Sequence, residues 1–203
     1  MSYKFLNRPF EDGAYEPEGI YLNLPLDGDG LVVQLWGENS EHYAHFTYNG
    51  VSLKGHNGID FLVNPGSNVL AVDPGRVTAI GEERGGLGRY VKLEHRWGES
   101  LYAHIDTILL DAGQQVERGM PIASIGDPVL VDYTNRATLR PTYLHFAIRI
   151  KPFNRFDGWG GFVDPLPYLN PTRLQFVADL PPEQTPAFPP HTMIREQGQS
   201  RRP

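Results

Sequence analysis

Three of the seven histidines in this chain stand in surroundings that suggest chemistry. The first is in Gly55-His56-Asn57-Gly58-Ile59-Asp60-Phe61. His56 and Asp60 are four apart, which would share one face of a helix, but Gly55, Asn57 and Gly58 disfavour a helix. In an extended segment the same even spacing also puts both on one face. An imidazole nitrogen and a carboxylate oxygen can then point at one ion, and the glycines let the backbone approach closely. The second is in Tyr143-Leu144-His145-Phe146-Ala147-Ile148-Arg149-Ile150, where alternation sends Leu144, Phe146, Ile148 and Ile150 to the core. Tyr143, His145, Ala147 and Arg149 take the other face, and a strand holds such side chains rigidly. The third is in Leu101-Tyr102-Ala103-His104-Ile105. Here Leu101, Ala103 and Ile105 share one face, and Tyr102 and His104 share the other, from which His104 can stand beside His145 on a neighbouring strand. Taken one at a time, each of these also reads as an ordinary turn or a solvent-facing His.

The composition limits what that chemistry can be. With no Cys, no thiol serves as nucleophile or ligand, so a metal must be held by His and carboxylates. A net charge of -6 argues against nonspecific nucleic-acid binding. No run of 18 apolar residues reads as a membrane span, and the first residues lack the apolar stretch of a signal peptide. There is neither a His-Glu-x-x-His helix nor a Gly-x-Ser-x-Gly elbow.

Gly 22, Pro 18, Tyr 10 and Phe 10 favour many short strands joined by turns over long helices. Leu31–Trp36, Val69–Val72, Arg76–Ile80, Tyr90–His95 and Ser100–Ile105 read as strands, and Asn49-Gly50, Asp73-Pro74-Gly75 and Trp97-Gly98 as turns. The expected fold is all-β: an antiparallel sandwich or folded sheet with the site in an open groove. One helical turn is expected within Thr107–Gln115. The organisation reads as an irregular arm over 1–30, a domain over 31–170 and a Pro-rich tail over 171–203 with Leu174, Phe176, Val177 and Phe188 as anchors.

The order and spacing of these segments resemble the lysostaphin-type zinc endopeptidases, which cut peptidoglycan. The resemblance runs through Gly55–Phe61, Pro65-Gly66, Val69–Val77, Gly88–His95, Leu101–Ile105, Gly113–Gly119, Leu144-His145-Phe146 and Asp164-Pro165. It implies that His56, Asp60 and His145 are zinc ligands, with a fourth position open for catalysis. His104 then corresponds to a catalytic His beside the metal. A peptidoglycan substrate implies an extracellular or cell-envelope location.

One departure bears on activity. The family normally reads His-x-His where this chain has Tyr143-Leu144-His145. A phenol titrates near 10, so close to neutral pH it accepts protons poorly and donates hydrogen bonds well. The expected division is Tyr143 as oxyanion donor and His104 as base. The loop Asp127 to Thr142 is long, lacks Gly and carries Arg136, Arg140 and Pro141, and Ala147 replaces an acidic residue common in the family. The alternative is an impaired relative that binds cell wall or regulates another hydrolase. A carrier-module reading of Val116–Ala123 lacks the modifiable Lys at a hairpin tip. His42 and His45 read as loop or groove-rim residues, His95 as a structural hydrogen-bonder, Tyr102 as a groove wall, and Asp106 as an orienting partner of His104.

Overall fold

The structure is a computed structural model that describes residues 19–83, 86–127 and 142–181, with the backbone alone of 130–133 and 136–139. The first 18 residues, the tail beyond 181 with its anchor Phe188, and Arg140 and Pro141 lie outside the described residues.

The strands follow the sequence periodicities. In chain order they are β1 (Gly30–Gln34), β2 (Thr47–Tyr48), β3 (Val51–Ser52), β4 (Ile59–Leu62), β5 (Asn68–Leu70), β6 (Gly75–Glu83), β7 (Gly88–Glu94) and β8 (Gly98–Ile105). Then come β9 (Thr107–Ile108), β10 (Gln115–Val116), β11 (Pro121–Ser124), β12 (Leu130–Tyr133), β13 (Arg136–Leu139), β14 (Tyr143–Ile150) and β15 (Leu174–Phe176). Eight of them make one sheet in the order β10-β6-β7-β8-β14-β4-β1-β15. Its pairs are antiparallel apart from β1 with β15. The expected all-β, mostly antiparallel and open architecture is what the chain adopts.

The core lies between one face of this sheet and the small sheet β5-β11-β9. Phe61, Leu93, Tyr102, Leu144, Phe146 and Ile148 come from the large sheet, and Val69, Ile122 and Ala123 from the small one. Leu22, Leu24 and Leu26, which precede the first strand, are buried in the same core. Leu174 and Phe176 pack against it from β15.

Two local expectations are corrected. Thr107–Gln115 holds no helical turn: β9 and the start of β10 occupy its ends, because Ile108 finds a partner in Ala123 of β11. The helical turn is instead α1, Ser40–Tyr43. Tyr102 is not a groove wall. It pairs across β14 with Phe146, is fully buried in the core, and its hydroxyl accepts from the Val72 N–H at 3.0 Å. Burial pushes that phenol far up, so it stays neutral. The Asn49-Gly50 turn is as expected, with φ of 50° and 77° closing the β2–β3 hairpin.

Candidate metal centre

The opposite face of the large sheet carries the site. Register puts His145 of β14 directly across from Asp60 of β4, and cross-strand partners share a face. His56 enters from the loop before β4. Two glycines allow this. A Cβ on Gly58 would lie 2.7 Å from Cε1 of His145 and 2.6 Å from the Phe146 carbonyl oxygen, and one on Gly55 would lie 2.6 Å from the Gly37 carbonyl oxygen.

Three ligand-type atoms converge there. Nδ1 of His145 is 2.9 Å from Oδ1 of Asp60 and 2.9 Å from Nε2 of His56, and Nε2 of His56 is 3.1 Å from Oδ1 of Asp60. All three residues are at most 4% exposed. The His56 tautomer follows from its surroundings. Its Nδ1 lies 3.0 Å from the Leu35 carbonyl oxygen, which can only accept, so Nδ1 bears the proton and Nε2 a lone pair. That lone pair and the carboxylate oxygen therefore face each other, with a single His145 proton at most to share between them. A cation with His and carboxylate preference satisfies all three atoms, so the donor set fits zinc.

His104 reaches this face by breaking the alternation of β8. Ala103 is opposite His145 and Leu101 opposite Ala147, so strict alternation would send His104 into the core beside Tyr102. But Arg89 of β7 pairs with Ile105 and Tyr90 with Ala103, which leaves His104 as the extra residue of a bulge, at φ 61°. The bulge turns the imidazole into the groove, with its ring 6.3 Å from that of His145. The expected neighbourhood of His104 and His145 holds, but the expected face sharing with Tyr102 does not. Tyr143, on the His145 face of β14, places its hydroxyl 3.3 Å from Nε2 of His104. The carboxylate of Asp106 accepts from the Thr107 hydroxyl at 3.0 Å.

A cavity of about 430 Å³ opens on this group, with Asn57, His104, Tyr143 and His145 in its lining. His42 lines it as expected of a rim residue. Sequence reasoning missed the second layer. The Tyr43 ring packs 5.3 Å from that of His56, Gln34 donates to the Tyr43 hydroxyl at 3.3 Å, and Glu38 accepts from the Leu35 N–H at 2.9 Å. The strand read over Leu31–Trp36, with Gly37 after it, was the available signal.

Comparison with known proteins identifies the family. Residues 54–157 match Peptidase family M23, a span that holds all five site residues. The chain belongs to this family. A Haemophilus influenzae protein called an uncharacterized metalloprotease is 40% identical over 108 residues, 53% of this chain and 22% of that protein. The murein hydrolase activator NlpD of Escherichia coli is 35% identical over 121 residues, 59% of this chain and 27% of NlpD. This chain thus spans well under half the length of these relatives. Among solved structures, a Pseudomonas aeruginosa protein described as a peptidase M23 is 25% identical, with a TM-score of 0.51 over 75% of this chain and 51% of that one. The lysostaphin-type resemblance read from the motifs is therefore a membership, and the fold is the family's.

Proposed function

We propose that this chain is a zinc-dependent endopeptidase that hydrolyses peptide bonds of bacterial peptidoglycan in the cell envelope or outside the cell. The observation that carries the reading is the convergence of His56 Nε2, Asp60 Oδ1 and His145 Nδ1 within 3.1 Å, with His145 lining an open cavity. A zinc ion held there would polarise a scissile carbonyl and make water a better nucleophile at neutral pH.

The chain's own residues supply the rest. In the structure the Tyr143 hydroxyl and Nε2 of His104 are 3.3 Å apart, and with that imidazole protonated on Nδ1 the hydroxyl donates to Nε2. With substrate in the groove, the hydroxyl turns its hydrogen bond to the carbonyl oxygen as charge develops on it. Nε2 of His104 is then released to take a proton from the attacking water and hand it to the leaving amine. The buried sheet positions both groups before substrate arrives.

A second reading has an observation in its favour. Tyr143 stands where the family has a catalytic His, and a relative 35% identical is named a murein hydrolase activator. Under that reading the site holds zinc without turnover, and the domain regulates another hydrolase. Digestion of purified peptidoglycan, with and without chelator and read by mass spectrometry of the released fragments, separates the two. The endopeptidase gives new peptide amine ends that vanish with chelator and return with zinc. Intact walls of several cross-bridge types alongside a zinc-loaded protein give the regulator.

A further inference from the structure

The groove does not stop at the ligand set. Beyond His145 it continues into a pocket walled by Phe46, Tyr48, Leu53, Leu87, Leu101 and Phe162. We propose that this pocket is a specificity subsite that takes an aliphatic side chain of the substrate peptide. The proposal rests on the endopeptidase reading above.

The base of the pocket is apolar. Leu101 and Phe162, 1% and 3% exposed, form with Ala147 a hydrophobic cluster of their own on the site face, separate from the main core. Ala147 is two residues past the ligand His145 on the same face of β14. An acidic residue, common at this position in the family, would bring a charge beneath Leu101 and Phe162. Alanine leaves the base apolar. The charged residues of the lining, Glu82, Glu83 and Arg89, are exposed.

The pocket is also built in advance. Tyr48 stands edge-on to Phe162, with centroids 5.8 Å apart at 84°. Behind both rings lies Arg149, 1% exposed, its guanidinium carbon 4.0 Å from the Phe162 centroid and 4.9 Å from that of Tyr48. Arg149 is fixed in turn by Nε to the Gly160 carbonyl oxygen at 2.9 Å and Nη1 to Glu99 at 2.8 Å. The cation thus clamps the β2–β3 hairpin and the 157–162 loop into a fixed gap. Glycine would leave the half-buried walls Phe46, Tyr48 and Leu87 facing water. An aliphatic side chain removes apolar surface from water on both sides of the contact.

The test uses the full chain treated with chelator, so that binding is read without turnover. Calorimetry with N-acetyl tetrapeptide amides that carry glycine, leucine or aspartate at each position in turn is expected to show one position where leucine binds about tenfold tighter than glycine, and aspartate no tighter. At that position nuclear Overhauser contacts are expected from the leucine methyls to the Phe162 and Tyr48 rings, a reading on the unaltered protein that needs no variant to fold. Phe162→Ala is expected to bring the leucine and glycine peptides within twofold of each other. Equal affinities at every position, or methyl contacts only outside the pocket, overturn the subsite. Restoring zinc then tests the parent reading separately. Cleavage without preference keeps the endopeptidase and removes the subsite, and preference without cleavage does the reverse.

Discussion

The phenol oxygen of Tyr143 lies 3.3 Å from Nε2 of His104, and the two rings are 4.6 Å apart across the groove beside His145. The two residues arrive by different routes. Tyr143 is placed by strand alternation, and His104 by a bulge that forces it out of alternation at φ 61°. A bulge beside a groove re-aims one side chain without disturbing the sheet. The pair joins a good donor to a good acceptor, which is what acyl transfer from a polarised carbonyl requires.

The division of labour can be measured. Tyr143→Phe keeps the ring and its packing and removes only the donor. Under the proposed mechanism, turnover on the peptidoglycan peptide falls about 10²–10³-fold, the usual loss for an oxyanion donor. His104→Ala should cost at least as much. An unchanged rate in the Phe variant would show that Tyr143 does not hold the developing charge.

Zinc should also stabilise the fold. A ligand that binds only the native state at a hundredfold excess over its Kd contributes about 2.7 kcal/mol. For a chain of this size that corresponds to roughly 5–10 °C in Tm. Scanning calorimetry of chelator-treated protein with and without added zinc should show this upward shift. Asp60→Asn, which leaves the site without its carboxylate, should abolish most of it. A shift of equal size in the Asn variant would place the ion elsewhere.

Much of this was legible in the sequence, for identifiable reasons. The alternation around His145 encodes face sharing directly, because side chains on a strand repeat every two residues. The even spacing of His56 and Asp60 brought the right pair together for another reason, since His56 lies in the loop before β4 and not on the strand. The register that sets His145 opposite Asp60 is long-range, and only the family resemblance carried it. His104 shows the limit of periodicity. Alternation grouped it with Tyr102, which regular pairing puts in the core, but the bulge turns His104 alone to the groove. Nothing local in Leu101–Ile105 announces the bulge, since it arises from pairing with Arg89 and Tyr90 of another strand. The second layer around His56 was hidden because it works through main-chain groups. A carbonyl oxygen at Leu35 has no residue type to betray it.

That layer makes Glu38 a positioning residue. Its carboxylate accepts the Leu35 N–H at 2.9 Å, and its carbonyl accepts the His56 N–H at 2.9 Å, so one turn fixes both the Leu35 carbonyl and the backbone of His56. Glu38→Ala should lower zinc affinity about tenfold, at the low end for partners that orient a ligand. Glu38→Gln keeps an oxygen acceptor at the same reach and should restore it. Nitrogen-15 spectra of the His56 ring give an independent readout. The Nδ1–H form should dominate in the native chain and in the Gln variant, and mix with the other tautomer in the Ala variant. Equal affinities in all three proteins would reduce Glu38 to a surface turn.

His95 should make stability pH-dependent far from the metal centre. It is 3% exposed and stacks on Trp97 at 4.7 Å. Its Nδ1 donates to the Pro74 carbonyl oxygen at 2.8 Å, and its Nε2 accepts from the Ser100 hydroxyl at 2.6 Å. Ser100 in turn meets the Tyr102 hydroxyl at 3.1 Å, which accepts from Val72 N–H. A neutral His95 satisfies both of its ring nitrogens here. Burial, the largest influence, accordingly holds its pKa below the usual 6.5 despite the Pro74 carbonyl and Asp73. The unfolded chain therefore binds more protons there than the folded one. The stabilisation is fully present above pH 6.5 and is lost as pH falls below it. Denaturant titrations at pH 7.5 and pH 5 should show a smaller loss in His95→Gln than in the native chain, although the variant starts from a lower stability. Because the two proteins share every other side chain, the difference between their losses isolates position 95. Equal losses would mean that the buried relay carries no linkage to pH.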